Sequence, residues 1–186
     1  MKRVNVPFTG ARSCLAPLVV NRMSGSNHRG RLRLGSLSFP CALGRAGIVS
    51  RKREGDGGTP LGHHQILFGY RRSDRTWTQG GPLPLSPTRP ADGWCDAPAH
   101  PAYNRPVRLP FPARCERMIR ADRLYDCCIV LDYNYSSRAR YRGSAIFFHL
   151  AERGYPPTEG CIALAPRDMA RLLPYLKRGR TLIVQR

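Results

Sequence analysis

The sequence predicts a mainly β chain with one short helix on its C-terminal side. Three observations carry this. Glycine and proline are frequent, at 18 and 17 of 186 residues, and both interrupt helices. Several short segments alternate polar and apolar residues, as half-buried strands do. Helical spacing is confined to one stretch, Ala165–Leu176.

The elements follow in order. Residues 1–13 read as a flexible basic N-terminus, and 14–186 as a single domain. Leu18-Val19-Val20 reads as a short strand, and Ser24–Gly30 as a polar turn. Arg31-Leu32-Arg33-Leu34 alternates, and Ser36–Leu43 repeats the period, which suggests a hairpin or meander. Arg51–Gly58 is a glycine-rich basic loop. No Gly-Lys-Ser/Thr and no helix follow it, so it is not a phosphate-cradling P-loop. His63–Tyr70 is strand-like. An insertion at about 80–112 is rich in glycine and proline and is expected to be long and irregular. It carries Trp94-Cys95-Asp96 and Tyr103-Asn104. Glu116–Arg123 reads as a short helix or turn before a strand at Cys127–Tyr133. Ser144–His149 is a continuous apolar run, expected to be a buried strand. In the helical stretch, Met169, Leu172, Leu173 and Leu176 share a face. Pro166 suits its first turn, Asp168 the positive end of its dipole, and Gly179 its end. Thr181–Val184 is a last strand.

Lys+Arg 31 against Asp+Glu 12 gives a net charge of +19. Such a surface attracts polyanions: nucleic acid, anionic membrane or anionic wall polymer. The cations are scattered from Arg3 to Arg186, and charge alone does not choose among these partners. A basic nucleic-acid-binding module is one reading, but the arginines are dispersed and only 9% of residues are aromatic. No nucleic-acid partner is predicted. Lys2-Arg3 could open a signal peptide, yet Pro7, Thr9, Gly10, Arg12 and Ser13 follow, so the start does not read as one. No stretch reaches transmembrane length.

Seven cysteines are present: Cys14, Cys41, Cys95, Cys115, Cys127, Cys128 and Cys161. No Cys-x-x-Cys pair occurs, which argues against a zinc knuckle. His63 and His64 lie far from further ligands, so neither a metal nor a cofactor is predicted. On a strand, one of Cys127 and Cys128 faces the core and the other faces out. All except Cys161 read as buried structural thiols. Disulfides in an oxidising compartment are compatible with the count but not demanded by it.

One pairing carries chemistry. His149 ends the apolar run Gly143-Ser-Ala-Ile-Phe-Phe-His149, and Cys161 follows after the segment Leu150–Gly160. A thiol with a free pKa of about 8.5 is mostly protonated at neutral pH, and a neighbouring histidine or cation lowers that value. Gly160 permits a backbone shape that aims main-chain N–H groups at an oxyanion. By spacing alone, the two residues equally fit a core histidine and a core cysteine.

The string His149…Thr158-Glu-Gly-Cys-Ile-Ala-Leu164, with Asp168 and Lys177–Val184, resembles the catalytic motif of the L,D-transpeptidase family (YkuD; ErfK/YbiS/YcfS/YnhG). Upstream, Thr59-Pro-Leu-Gly62 resembles that family's Thr-Pro-x-Gly segment. The resemblance covers roughly residues 30–186. It implies a mixed-sheet β-sandwich of the L,D-transpeptidase type and a single catalytic domain over 14–186. It also implies a catalytic assignment. Cys161 is the nucleophile, His149 the general base, and the Leu150 backbone carbonyl orients the imidazole. The Gly160 and Cys161 amides form the oxyanion hole. The substrates are peptidoglycan stem peptides, an acyl donor and a diaminopimelate acceptor, joined through a thioester. Hydrolysis at the same site, as a carboxypeptidase or amidase, is the alternative outcome. Location in the periplasm or cell envelope follows from the family.

The motif departs from the usual pattern. Ala163 stands where Arg or Asn is usual, Leu150 where Gly is common, and the segment between His149 and Cys161 is short. It resembles an atypical subgroup with Thr-x-Gly-Cys-Ile/Val-Ala-Leu. That shifts weight from 3-3 crosslinks between diaminopimelates towards 1-3 crosslinks at L-Ala. Thr158, Glu159, Arg142, Tyr103 and Trp94 are expected to contact substrate.

Overall fold

The computed structural model describes residues 16–75 and 81–186. The expected flexible N-terminus, Cys14 and the first residue of the insertion, Gly80, lie outside the described residues.

Alternation builds the first sheet. β1 (Leu18–Arg22), β2 (Arg29–Leu34) and β3 (Leu37–Ala42) form an antiparallel meander. In β2, Leu32 and Leu34 are buried while Arg31 and Arg33 are exposed, as a period of two requires. β4 (Ile48–Val49) and β5 (Thr59–Pro60) pair across the glycine-rich loop. The long β6 (Gly62–Arg71) follows, and β7 (Leu85–Pro87) runs parallel beside its end. β8 (Asp92–Cys95), β9 (Arg105–Arg108) and β10 (Cys115–Arg117) make a separate three-stranded sheet in the order β10-β8-β9. β11 (Cys127–Leu131), β12 (Phe147–Leu150), β13 (Ile162–Leu164), α1 (Pro166–Leu172) and β14 (Thr181–Gln185) complete the chain.

Eight strands run β11-β12-β13-β3-β2-β1-β14-β6, and β6 pairs back onto β11. The pairs β1–β14 and β12–β13 are parallel and the others antiparallel, so the sheet is mixed. The mainly β, mixed-sheet expectation with a short C-terminal-side helix holds. The two layers of a sandwich are here joined along both edges into a closed barrel, which satisfies edge backbone groups that an open sheet exposes.

Leu18, Leu32, Ile66, Ile129, Phe148 and Ile162 fill the interior, all fully buried. Met169, Leu172, Leu173 and Leu176 of the C-terminal helical segment join the same cluster. The α-helical part of this segment is seven residues long. It stops at Leu172 and tightens into a 3₁₀ turn at Leu173–Tyr175. Pro174 explains this, since it has no N–H and its ring crowds the carbonyl four residues earlier.

A second cluster lies outside the barrel. Trp94, Met118, Tyr125, Cys128, Val130 and Phe147 pack there on the outward faces of β11 and β12. This cluster corrects three sequence expectations. The described part of the insertion is not irregular, because β7, β8 and β9 lie within it. Glu116 sits on a strand rather than in the expected short helix or turn. Cys127 and Cys128 do alternate, yet both are buried, because the outward face of β11 is itself covered. The apolar run before His149 is also only partly strand. Ala145 adopts φ 50° and gives its N–H to the Asn104 side chain, so β12 begins at Phe147.

Candidate active site

The register of two parallel strands places the pair. Phe148 lies beside Ile162, and His149 beside Ala163. Phe148 and Ile162 point into the barrel, so His149 and Ala163 point out, and so does Cys161 just before β13. Cys161 is therefore the diagonal neighbour of His149 on one face. Both line a single cavity of about 390 Å³ between the barrel wall and the three-stranded sheet.

His149 is held by its own backbone. Its Nδ1 lies 2.8 Å from the Leu150 carbonyl oxygen. A carbonyl only accepts, so Nδ1 carries the hydrogen and Nε2 keeps the lone pair. The Tyr125 ring packs edge-on to the imidazole, with centroids 5.3 Å apart. Burial pushes the His149 pKa down to about 4, against the opposing Leu150 bond.

Cys161 sits between two backbone groups. The Phe147 N–H donates to Sγ at 3.3 Å, and the thiol donates to the Ala145 carbonyl at 3.2 Å. Burial pushes the thiol up to about 12, and Glu116 adds to this. The Phe147 N–H, Lys52 and Arg120 oppose it without prevailing. The structure thus reverses the thiol-lowering effect expected of a neighbouring histidine or cation. At neutral pH, both members of the pair rest uncharged.

A tight turn presents the thiol. Thr158 Oγ1 donates to the Cys161 carbonyl at 2.7 Å and accepts the Gly160 N–H at 3.2 Å. The Thr158 backbone is clamped between Leu43 and Arg45 at 2.9 Å on each side. Gly160 has φ 127°, and a Cβ there would come within 2.7 Å of the Gly58 carbonyl. Only glycine meets both conditions. The Gly160 N–H, expected at an oxyanion hole, donates to Thr158 Oγ1 here. The Cys161 N–H has no acceptor among the described residues.

Asn104 holds the segment that leads into β12. Its Oδ1 accepts the Trp94 indole N–H and the Ala145 N–H, each at 3.0 Å, and its Nδ2 donates to the Tyr133 carbonyl at 3.1 Å. Asn104 therefore fixes the strained residue whose carbonyl receives the thiol proton.

The cavity walls mix charges, with Lys52, Arg114 and Arg120 facing Glu54, Asp96 and Glu116. Glu116 accepts the Tyr125 hydroxyl at 2.5 Å, and burial raises its pKa. The sequence marks none of these wall residues as a substrate contact. They come from segments far apart in the chain, and no local pattern marks them. Among the described residues, no group of three or more His, Cys, Asp or Glu side chains is placed to hold a metal ion.

The expected substrate contacts divide. Thr158 and Glu159 line the cavity, with Glu159 exposed and ion-paired to Arg45. Arg142 is exposed and outside the lining. Trp94 and Tyr103 are each only 1% exposed. Their polar tips are spent internally, Trp94 on Asn104 and Tyr103 on Glu54, so they pack rather than face the cavity.

A thiol and an oriented imidazole thus line one cavity, and these are groups that covalent acyl transfer uses. The chain belongs to the YkuD family, whose model, the L,D-transpeptidase catalytic domain, matches residues 26–184. Membership implies a cysteine L,D-transpeptidase that acts on peptidoglycan peptides in the cell envelope. No curated protein matches the chain. No helix among the described residues is long and apolar enough to cross a membrane.

Proposed function

We propose that Cys161 is the nucleophile and His149 the general base of a transpeptidase that joins peptidoglycan stem peptides through a thioester. The supporting observation is the diagonal placement of the two residues on one cavity wall, with His149 Nδ1 spent on Leu150 and Nε2 left basic.

The resting thiol points at the Ala145 carbonyl. Turning about its Cα–Cβ bond directs the proton to His149 Nε2 as the sulfur attacks a stem-peptide carbonyl. The Cys161 N–H meets the oxyanion. Collapse expels the amine, which takes the proton from His149, and a thioester remains. A diaminopimelate amine then attacks, loses its proton to His149, and restores the thiol as the new amide forms. Water in place of that amine gives a free acid. An uncharged pair suits a buried cavity, where separating charge before substrate binds is costly.

The product we favour is the 1-3 crosslink, within the atypical Thr-x-Gly-Cys-Ile-Ala-Leu subgroup. Ala163 lies beside His149 in the cavity wall and offers only a methyl group, so a donor carboxylate gains no contact there. The surplus of surface cations supports retention on anionic wall polymer.

The test is incubation with intact sacculi, followed by mass spectrometry of the released muropeptides. Wild type is expected to yield crosslinked dimers that fragment as L-Ala–diaminopimelate linkages, and Cys161→Ala to yield none. Identical products from the two proteins reject the catalytic assignment. Dimers with only 3-3 linkage reject the preferred bond, and free acids alone indicate the hydrolase.

A further inference from the structure

We propose that Cys95 and Cys115 form a disulfide once the chain is in the oxidising cell envelope. This goes beyond the catalytic reading. It rests only on the compartment that the family implies, not on the roles of Cys161 and His149.

The geometry comes from strand register. Cys95 on β8 lies directly opposite Cys115 on antiparallel β10. The Asp96 N–H donates to the Arg114 carbonyl at 3.3 Å, and the Met118 N–H donates to the Asp92 carbonyl at 3.0 Å. These bonds flank the pairs Cys95–Cys115 and Gly93–Arg117 from outside. Both are therefore non-hydrogen-bonded pairs, the kind in which opposing side chains approach most closely. Cα atoms in such pairs are about 4.5 Å apart. That lies inside the disulfide range of about 4.4–6.8 Å. Both thiols are reduced in the structure and project to the same face of the sheet. Among the described cysteines, no other two face each other across neighbouring strands.

Access is one-sided. Cys95 is fully buried and Cys115 is half-buried. An incoming disulfide oxidant therefore meets Cys115 first. The Cys115 sulfur attacks that disulfide and forms a mixed disulfide, releasing one oxidant thiol. The Cys95 sulfur then attacks the Cys115 sulfur and releases the second. The two cysteines lose two protons and two electrons together, and the oxidant leaves as a dithiol or as two thiols.

The bond has a structural consequence. Asp96, Arg114 and Glu116, next to the two cysteines, all line the cavity. A covalent link between Cys95 and Cys115 ties both of these strands, and so one wall of the cavity, together. It closes a loop of about 20 residues, for which chain-entropy reasoning gives a rise in Tm of roughly 7–13 °C.

The test uses the full chain equilibrated with glutathione disulfide or with dithiothreitol, denatured with a thiol-alkylating reagent, and digested without reduction. Tryptic cleavage after Arg108 and Arg114 separates the two cysteines. Mass spectrometry of the oxidised sample is expected to show their peptides linked, lighter by two hydrogens than the free pair. Wild-type Tm is expected to fall by the stated amount on reduction. A Cys115→Ser variant, folded by circular dichroism, is expected to lack the linked peptide and to show no such fall. Alkylation of both thiols in the oxidised wild type overturns the proposal. So does either thiol linked to a different cysteine, or a wild-type Tm that ignores reduction.

Discussion

Acidification provides a quantitative probe of His149. The buried imidazole has a folded pKa of about 4 against an ordinary 6.5. Between those values the unfolded chain binds a proton that the folded chain refuses. Stability therefore rises with pH through this window, is complete above about 6.5, and is lost as pH falls towards 4. At pH 4 this one group costs about 3 kcal/mol relative to pH 7, from roughly 1.36 kcal/mol per unit with half-protonation at the lower end. Carboxylates also titrate here, and His64 is lowered too, so the absolute loss is larger. A His149→Asn variant isolates the contribution, because its amide nitrogen takes the place of Nδ1, keeps a donor for the Leu150 carbonyl and removes the titration. Urea denaturation of both proteins at pH 7, 6, 5 and 4, followed by fluorescence, measures the difference. Wild type is expected to lose about 3 kcal/mol more than the variant between pH 7 and 4. Equal losses refute the view that His149 is buried and neutral.

Other predictions concern the same machinery. Because a neutral base is required, kcat/KM should stay flat from pH 7 down past 6 and fall only towards about pH 4; an acid limb centred near 6.5 contradicts the lowered pKa. Gly160→Ala puts a Cβ against the Gly58 carbonyl at a left-handed φ, and should abolish activity and lower stability by roughly 1–3 kcal/mol, checked by denaturation. Asn104→Ala strips an acceptor from two buried N–H groups and should cost roughly 2–4 kcal/mol in the same assay. Arg45→Ala removes an ion pair whose side chains are 49% and 74% exposed, and should change stability by less than about 1 kcal/mol.

Much of the barrel was legible because its pattern is local. The alternation of Arg31 to Leu34 matches the observed burial residue by residue. Met169, Leu172, Leu173 and Leu176 share a face in the sequence and a core in the fold. The 3₁₀ turn at Leu173–Tyr175 is the one detail of this helix that the spacing does not report, because Pro174 acts on backbone hydrogen bonding. Trp94 and Tyr103 were read as cleft residues because aromatic side chains with polar tips suit both cavities and cores. What decides between those settings is the partner of the tip, Asn104 or Glu54, and such long-range partners leave no trace in the neighbouring sequence. For the same reason the charged wall was hidden, since Lys52, Glu54, Asp96, Glu116 and Arg120 meet only through the tertiary fold. The state of the thiol was also beyond a linear reading, because it depends on burial and on Ala145, which lies on the segment leading into β12.

The most direct measurement is capture of the acyl-enzyme. The protein is mixed with a stem-peptide donor, quenched in acid, and its intact mass and peptide map are recorded. One added acyl group on Cys161, removed by hydroxylamine and absent from Cys161→Ala, is the predicted result; His149→Gln should form it far more slowly. An adduct on any other residue, or one that persists without Cys161, contradicts the account.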